Sequence, residues 1–180
     1  MNIGLKTGVV KLLPHQAEWE TNAEETIMLM KTILGDTCID IQHVGSTSIK
    51  HICAKPIIDI AVAVNELADI LPYNDVLSKN GIFYRKEETT GQLLYLMGDL
   101  ENEIKTHHIH VVKYNSVNWQ NYLNFRDYLN AFPEKARLYN ELKQELAKKY
   151  ASERKLYTDG KSELIKALLK EAEEWKVSFN

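Results

Sequence analysis

The chain has 180 residues, 44% of them hydrophobic and 26% charged, with few glycines and prolines, which suits one globular folding unit and excludes a disordered or fibrous chain. Twenty-two Lys and Arg against 25 Asp and Glu leave a net charge of −3, so long nucleic acid is not an expected partner, although a local basic pocket remains compatible with that charge.

After a short apolar lead at Val9 to Leu13, Pro14 sits where a helix can begin. Trp19, Ala23, Ile27, Met30 and Leu34 then recur at helical spacing until Gly35, which predicts a helix over residues 16–34. From Cys38 to Val44, Ile39 and Ile41 alternate with Asp40 and Gln42 in the period of a half-buried strand, and Gly45 stops it. Ser46 to Ala54 opens with Ser-Thr-Ser capping residues and closes before Lys55-Pro56, so a brief helix or turn is expected there. Ile57 to Val64 is β-branched and nearly continuous, the pattern of a central strand covered on both faces, and is interrupted once by Asp59.

Leu67 to Lys79 reads as a second, surface helix. Residues 82–85, 93–97 and 105–112 are extended runs separated by polar turns, an antiparallel meander. Beyond Asn115 the pattern is helical. One helix carries Trp119, Tyr122, Leu123, Phe125, Arg126 and Leu129, a second runs from Pro133 to about Tyr150, and a third carries Leu164, Ile165, Leu168, Leu169, Ala172 and Trp175. The sum is an α+β architecture: a mixed β-sheet core over 1–113 and a C-terminal helical region over 114–180 packed on it as a single folding unit. No apolar run reaches the ~20 residues of a bilayer crossing, the N-terminal residues lack a signal layout, and Cys38 and Cys53 lack metal-ligand spacing. A cytoplasmic protein with reduced thiols and no membrane association is expected.

Three features carry chemistry. Gly45, Ser46 and Thr47 form a turn in which a glycine lets backbone approach a ligand and a following helix start offers N–H groups to a phosphate. Twelve residues separate Ser46 from Asp59, near enough in sequence for an adjacent strand to return it to that turn. A carboxylate inside an apolar strand needs a cation, either a metal or a partner such as Lys55 or Arg85. His108 and His110 point to one face of an extended strand, ~6 to 7 Å apart, where two imidazoles can hold a metal or move a proton. His43, just before the turn, is a candidate to join them.

The stretches QHVGSTS (42–48), AKPIIDI (54–60), HIHV (108–111), NFRDYL (124–129) and YTDGK (157–161), in this order, resemble the GrpB family, from Val10 to Trp175. The resemblance implies the nucleotidyltransferase fold of polymerase-beta-like enzymes. In that pattern a Gly-Ser turn holds a triphosphate, two carboxylates two residues apart on the next strand and a third on a later strand hold two Mg²⁺ ions. Gly45 and Ser46 match the turn and Asp59 the first carboxylate. Ala61 stands at the second position, and His108 and His110 stand on the later strand. One Asp with two imidazoles suits Mn²⁺, Fe²⁺ or Zn²⁺ better than Mg²⁺.

The expectation is therefore a protein that binds a nucleotide, such as a nucleoside triphosphate, or another phosphorylated small molecule. Gly45, Ser46 and Thr47 would cradle phosphate, with Lys55, Arg126 and Lys161 offsetting its charge. Asp59, His108, His110 and His43 would hold a divalent metal, Mg²⁺, Mn²⁺ or Zn²⁺, with Asp59, His108 and His110 catalytic in a nucleotidyl transfer. The alternatives are a degenerate ligand-sensing or protein-interaction module, for which Ala61 speaks, and a metal-dependent hydrolase built on the His pair. Nothing in the sequence names a protein partner.

Overall fold

The computed structural model describes residues 3–89 and 91–178. In chain order the regular elements are β1 (Leu5–Lys6), α1 (Glu18–Leu34), β2 (Asp40–Val44), β3 (Ile58–Val64), α2 (Asn74–Lys79), β4 (Ile82–Thr89), β5 (Gln92–Met97), β6 (Ile104–Lys105), β7 (His107–Lys113), α3 (Val117–Ala131), α4 (Pro133–Lys149), α5 (Arg154–Asp159) and α6 (Ser162–Val177). Five strands form one mixed sheet in the order β2-β3-β7-β5-β4, in which only β3 and β7 run parallel, while β1 and β6 make a separate two-stranded pair.

The apolar run of β3 follows from its place: it has strands on both sides and helices on both faces. Ile58, Ile60, Val62 and Val64 join Ile41, Ile109, Val111 and Tyr95 against Trp19, Ala23, Met30 and Leu34 of α1. Ala61 and Ala63 point the other way, with Val44 and Val112, and pack under Trp119 of α3. The small alanines allow that helix to lie close. Of the seven strand residues only Asp59 is not buried.

A third cluster ties the sheet to the C-terminal helices. Ile49 and Ile52, from the loop after the Gly-Ser turn, insert among Tyr128, Leu129, Ala136, Tyr139, Leu168 and Ala172. The same loop is fixed by polar bonds: Asn130 accepts from the Lys50 N–H at 3.0 Å and donates to the Ser48 carbonyl at 3.0 Å, and Asn140 accepts from the Cys53 N–H at 2.8 Å.

Several sequence expectations are corrected. Residues 67–79 are not one helix: Leu67–Tyr73 is a 3₁₀ segment containing Pro72, and only Asn74–Lys79 is α-helical, because proline removes a backbone donor. The run at 105–112 is split, since Ile104 and Lys105 pair with β1 while the main-sheet strand begins at His107. The brief turn expected after Gly45 is the 3₁₀ segment Ser46–Ser48, whereas helix α5 and the β1 pair have no counterpart in the sequence expectations. No described helix is long and apolar enough to cross a membrane.

Ile60 is fully buried between α1 and the sheet. Ile60→Ala is expected to cost about 2 to 5 kcal/mol through lost burial and the cavity left behind. Urea denaturation of wild type and variant measures it.

Candidate functional site

Gly45 ends β2 opposite Asp59: the antiparallel register pairs Val44 with Asp59, so the chain turns directly beside the carboxylate. Gly45 has φ +69°, and a Cβ there would stand 2.8 Å from the Asp59 Cβ and 2.9 Å from its Cγ. Glycine is thus required twice, by backbone conformation and by the side chain it faces. The Ser48 hydroxyl donates to the Gly45 carbonyl at 2.7 Å and closes the turn.

On its other side β3 runs parallel to β7 with Asp59 beside His108 and Ala61 beside His110. Period-two alternation therefore brings both imidazoles to the carboxylate's face. Nδ1 of His108 lies 3.3 Å, and Nε2 of His110 3.5 Å, from the same Asp59 oxygen. Burial pushes the Asp59 carboxyl up, but hydrogen bonds from the two imidazoles and their positive character outweigh it and hold the group well below the usual carboxylate range. Its expected partners Lys55 and Arg85 do not fill this role. Arg85 lies on β4, three strands away, roughly 14 Å at the usual strand spacing.

The three side chains also offer one ligand atom each within 4.8 Å of one another. His110 Nδ1 is buried with no hydrogen-bond partner. One carboxylate and two imidazoles fit a borderline divalent ion such as Mn²⁺, Fe²⁺ or Zn²⁺. They do not fit a pair of Mg²⁺ ions, because the second carboxylate position is Ala61, fully buried under Trp119.

Gly45, Ser46, Lys55, Asp59, His108 and Lys161 border one cavity of about 240 Å³ between the sheet and the C-terminal helices. Four further contributors were not anticipated: Lys143 and Tyr139 of α4, and Arg154 and Tyr157 of α5. Four cations thus surround a space whose one acidic side chain is Asp59. The three lysines are held by a carbonyl and by aromatic rings. Lys143, 1% exposed, donates to the Cys53 carbonyl and lies 4.7 Å from the Tyr139 ring centre. Tyr157 carries Lys161 at 4.6 Å and Lys55 at 5.3 Å from its ring centre. Burial first, then the neighbouring cations, push Lys143 down to about 7 and Lys161 down to about 8, and Lys55 is lowered by burial and Arg154.

Three expected residues stand elsewhere. His43 pairs with Ile60, which places it on the α1 face, and its Nε2 lies 2.9 Å from the Thr47 hydroxyl. Burial pushes its pKa down to about 4. Thr47 is buried and turned to that histidine, away from the cavity. Arg126 braces the turn from outside: it donates to the His43 carbonyl and the Gln42 side chain, both at 3.0 Å, and pairs with Asp127 at 2.8 Å. Strand alternation accounts for His43, and a neighbouring acid for Arg126. Lys161 occupies the N-cap position of α6 without a side-chain cap from the preceding Thr158-Asp159-Gly160, where Asp159 ends α5.

A signal for Lys143 exists in the sequence. Ala136, Tyr139 and Lys143 recur at helical spacing, so this lysine lies in the buried stripe of α4. Arg154 carries no such mark.

This sheet, with the Gly-Ser turn beside the acid-bearing strand and helices on both faces, is a nucleotidyltransferase-like fold. It is similar to Cid1, solved in complex with its short product ApU, with a TM-score of 0.54 and 11% identity over 75% of this chain and 42% of Cid1. That likeness shows the fold alone. The chain belongs to the GrpB family, whose GrpB protein description matches residues 9–171. It is 38% identical to the glutamate-rich protein GrpB of Alkalihalophilus pseudofirmus over 94% of this chain and 99% of that one. It is also similar to the crystal structure of the conserved protein GrpB from Enterococcus faecalis, with a TM-score of 0.84 and 30% identity over 92% and 99% of the two chains.

Two outcomes are expected. Gly45→Ala should destabilise the fold by about 2 to 5 kcal/mol, from left-handed strain plus overlap with Asp59, measured by chemical denaturation. The lysines set a pH dependence. Their folded pKa values lie below the unfolded value of 10.5, so between about 7 and 10.5 the unfolded chain binds more protons and stability rises with pH. Affinity for inorganic tripolyphosphate should move the opposite way, falling as pH rises through 7 to 8. Denaturation midpoints and calorimetry at pH 6.5 and 8.5 check both signs, and Lys143→Met should flatten both.

Proposed function

We propose that the chain binds a nucleotide or another phosphorylated small molecule in the cavity between the sheet and the C-terminal helices. The observation that carries this is the gathering of Lys55, Lys143, Arg154 and Lys161 around about 240 Å³ beside the Gly45-Ser46 turn, against one acidic side chain. Holding four cations in a half-dry space is unfavourable until an anion enters, and phosphate oxygens match both the ammonium groups and the guanidinium fork. The Ser46 hydroxyl, 3.5 Å from the Tyr139 hydroxyl, is a further donor at the mouth of the turn.

In this reading Asp59, His108 and His110 hold a divalent ion, which when bound supplies Lewis-acid polarisation of a phosphoryl oxygen. The protein's own part is positioning: the lysines and Arg154 neutralise and orient the phosphates, and the buried walls limit water. Transfer of a nucleotidyl group to a small acceptor is the reaction class proposed for that arrangement. One observation favours a second reading, a module that binds the ligand without turning it over: Ala61 replaces the second carboxylate and is fully buried.

A thermal-shift panel of nucleoside triphosphates with Mg²⁺, Mn²⁺ or Zn²⁺, run on wild type and Asp59→Ala, tests both. Binding is expected to raise the midpoint by about 5 to 10 °C at a hundredfold excess over Kd, and the metal-dependent part should vanish in Asp59→Ala. Stabilisation without product formation would favour the second reading. Phosphate release with no acceptor would indicate a hydrolase, no stabilisation by any nucleotide would leave only a non-nucleotide phosphorylated ligand, and a failure to bind inorganic tripolyphosphate as well would overturn the proposal.

A further inference from the structure

Gly45 and Phe125 border the cation-lined cavity and also a second chamber of about 360 Å³. Its other walls include Tyr122 of α3, Ile165 and Leu169 of α6, and the side-chain amides of Gln92 and Asn121. The two spaces therefore adjoin at the Gly-Ser turn. The Tyr122 ring lies 5.0 Å from that of His110 with a 34° tilt, so one wall of the chamber abuts the Asp59 cluster.

The walls have a defined chemistry. Two aromatic rings and two aliphatic side chains offer apolar contact, and three amides interrupt it, of which Asn118 already donates to the Gly91 carbonyl at 3.2 Å. The Tyr122 hydroxyl donates to Gln92 Oε1 at 2.8 Å, which fixes that amide and leaves its nitrogen able to donate. Among the described residues neither this nitrogen nor the Asn121 amide has a hydrogen-bond partner. A purely aliphatic occupant would strand both amides, and a bare sugar would present hydroxyls to the rings and aliphatic groups. A planar ring with donor and acceptor edges meets both demands, stacking on the aromatic faces and pairing with the amides.

We infer that this chamber takes the base of a nucleoside phosphate whose phosphate groups occupy the cation-lined cavity. The inference rests on the phosphate-binding reading of that cavity and narrows its ligand from phosphorylated small molecules in general to nucleotides.

Calorimetry on the full chain separates the two. The probes are inorganic tripolyphosphate, ribose 5-phosphate and the four nucleoside 5′-monophosphates, and the proteins are wild type, Leu169→Trp and Asn121→Ala. At least one nucleotide should bind about 10-fold tighter than ribose 5-phosphate, which carries the same phosphate and sugar. Leu169→Trp, which fills the chamber, should bring that ratio within about twofold, and Asn121→Ala should lower it for bases with a matching edge. Tripolyphosphate should bind both variants as it binds wild type, which also shows that they are folded. A nucleotide preference below about twofold in wild type, or one that survives Leu169→Trp, would overturn the chamber assignment while leaving the cavity reading intact. Failure of wild type to bind tripolyphosphate would instead overturn the cavity reading itself, and this inference with it.

Discussion

The backbone at Gly45 passes so close to Asp59 that no side chain fits between them, and the rest of the site is arranged around that approach. It follows from register: β2 meets β3 antiparallel with Val44 opposite Asp59, so the turn out of β2 lies against the carboxylate. The chain must then travel from residue 45 to residue 58 before it can re-enter the sheet. That excursion is not left to solvent. Ile49 and Ile52 are buried among α3, α4 and α6, and Asn130 and Asn140 satisfy its backbone groups. The loop is thus the element through which sheet and helices come to share one cavity.

The electrostatics of that cavity run against the chain as a whole. The net charge is −3, yet four cations converge on one carboxylate. Like charges this close oppose one another, and burial opposes each separately. The protein meets the cost with aromatic faces and a carbonyl: Tyr157 between Lys55 and Lys161, Tyr139 and the Cys53 carbonyl at Lys143. Such partners hold an ammonium without neutralising it. The site keeps its positive charge for whatever anion enters, while the close partners of the Asp59 carboxylate are His108 and His110.

Ala61 and His110 explain how this site departs from the two-metal pattern. They are neighbours across the parallel strands, and the space that a second carboxylate would take is closed by Trp119 packing on Ala61, Ala63 and Val44. The His110 imidazole reaches back from the next strand to Asp59 instead. The loss of a carboxylate and the presence of an imidazole are therefore features of one packed region, and α3 could not lie so close to β3 with an acid at position 61.

Much of this was legible in the sequence. The strand of residues 58–64, the turn at 45–48, the alternation that faces His108 and His110 the same way, and the helices carrying Trp19, Trp119 and Leu168 all follow from local rules of period, branching and glycine, which act on neighbours along the chain. The pairing of strands was not legible, and it decided the chemistry. Antiparallel register turned His43 to the α1 face with Thr47, and Asp127 beside Arg126 kept that guanidinium at the rim. Lys143 and Arg154, distant in sequence from the turn they surround, were brought there by the packing of α4 and α5. Sequence by itself determined which residues could be strand, helix, turn or acid, because those preferences are local. Only the tertiary structure decided which charges share a cavity, because that depends on contacts between segments whose separation along the chain carries no record of their distance in space.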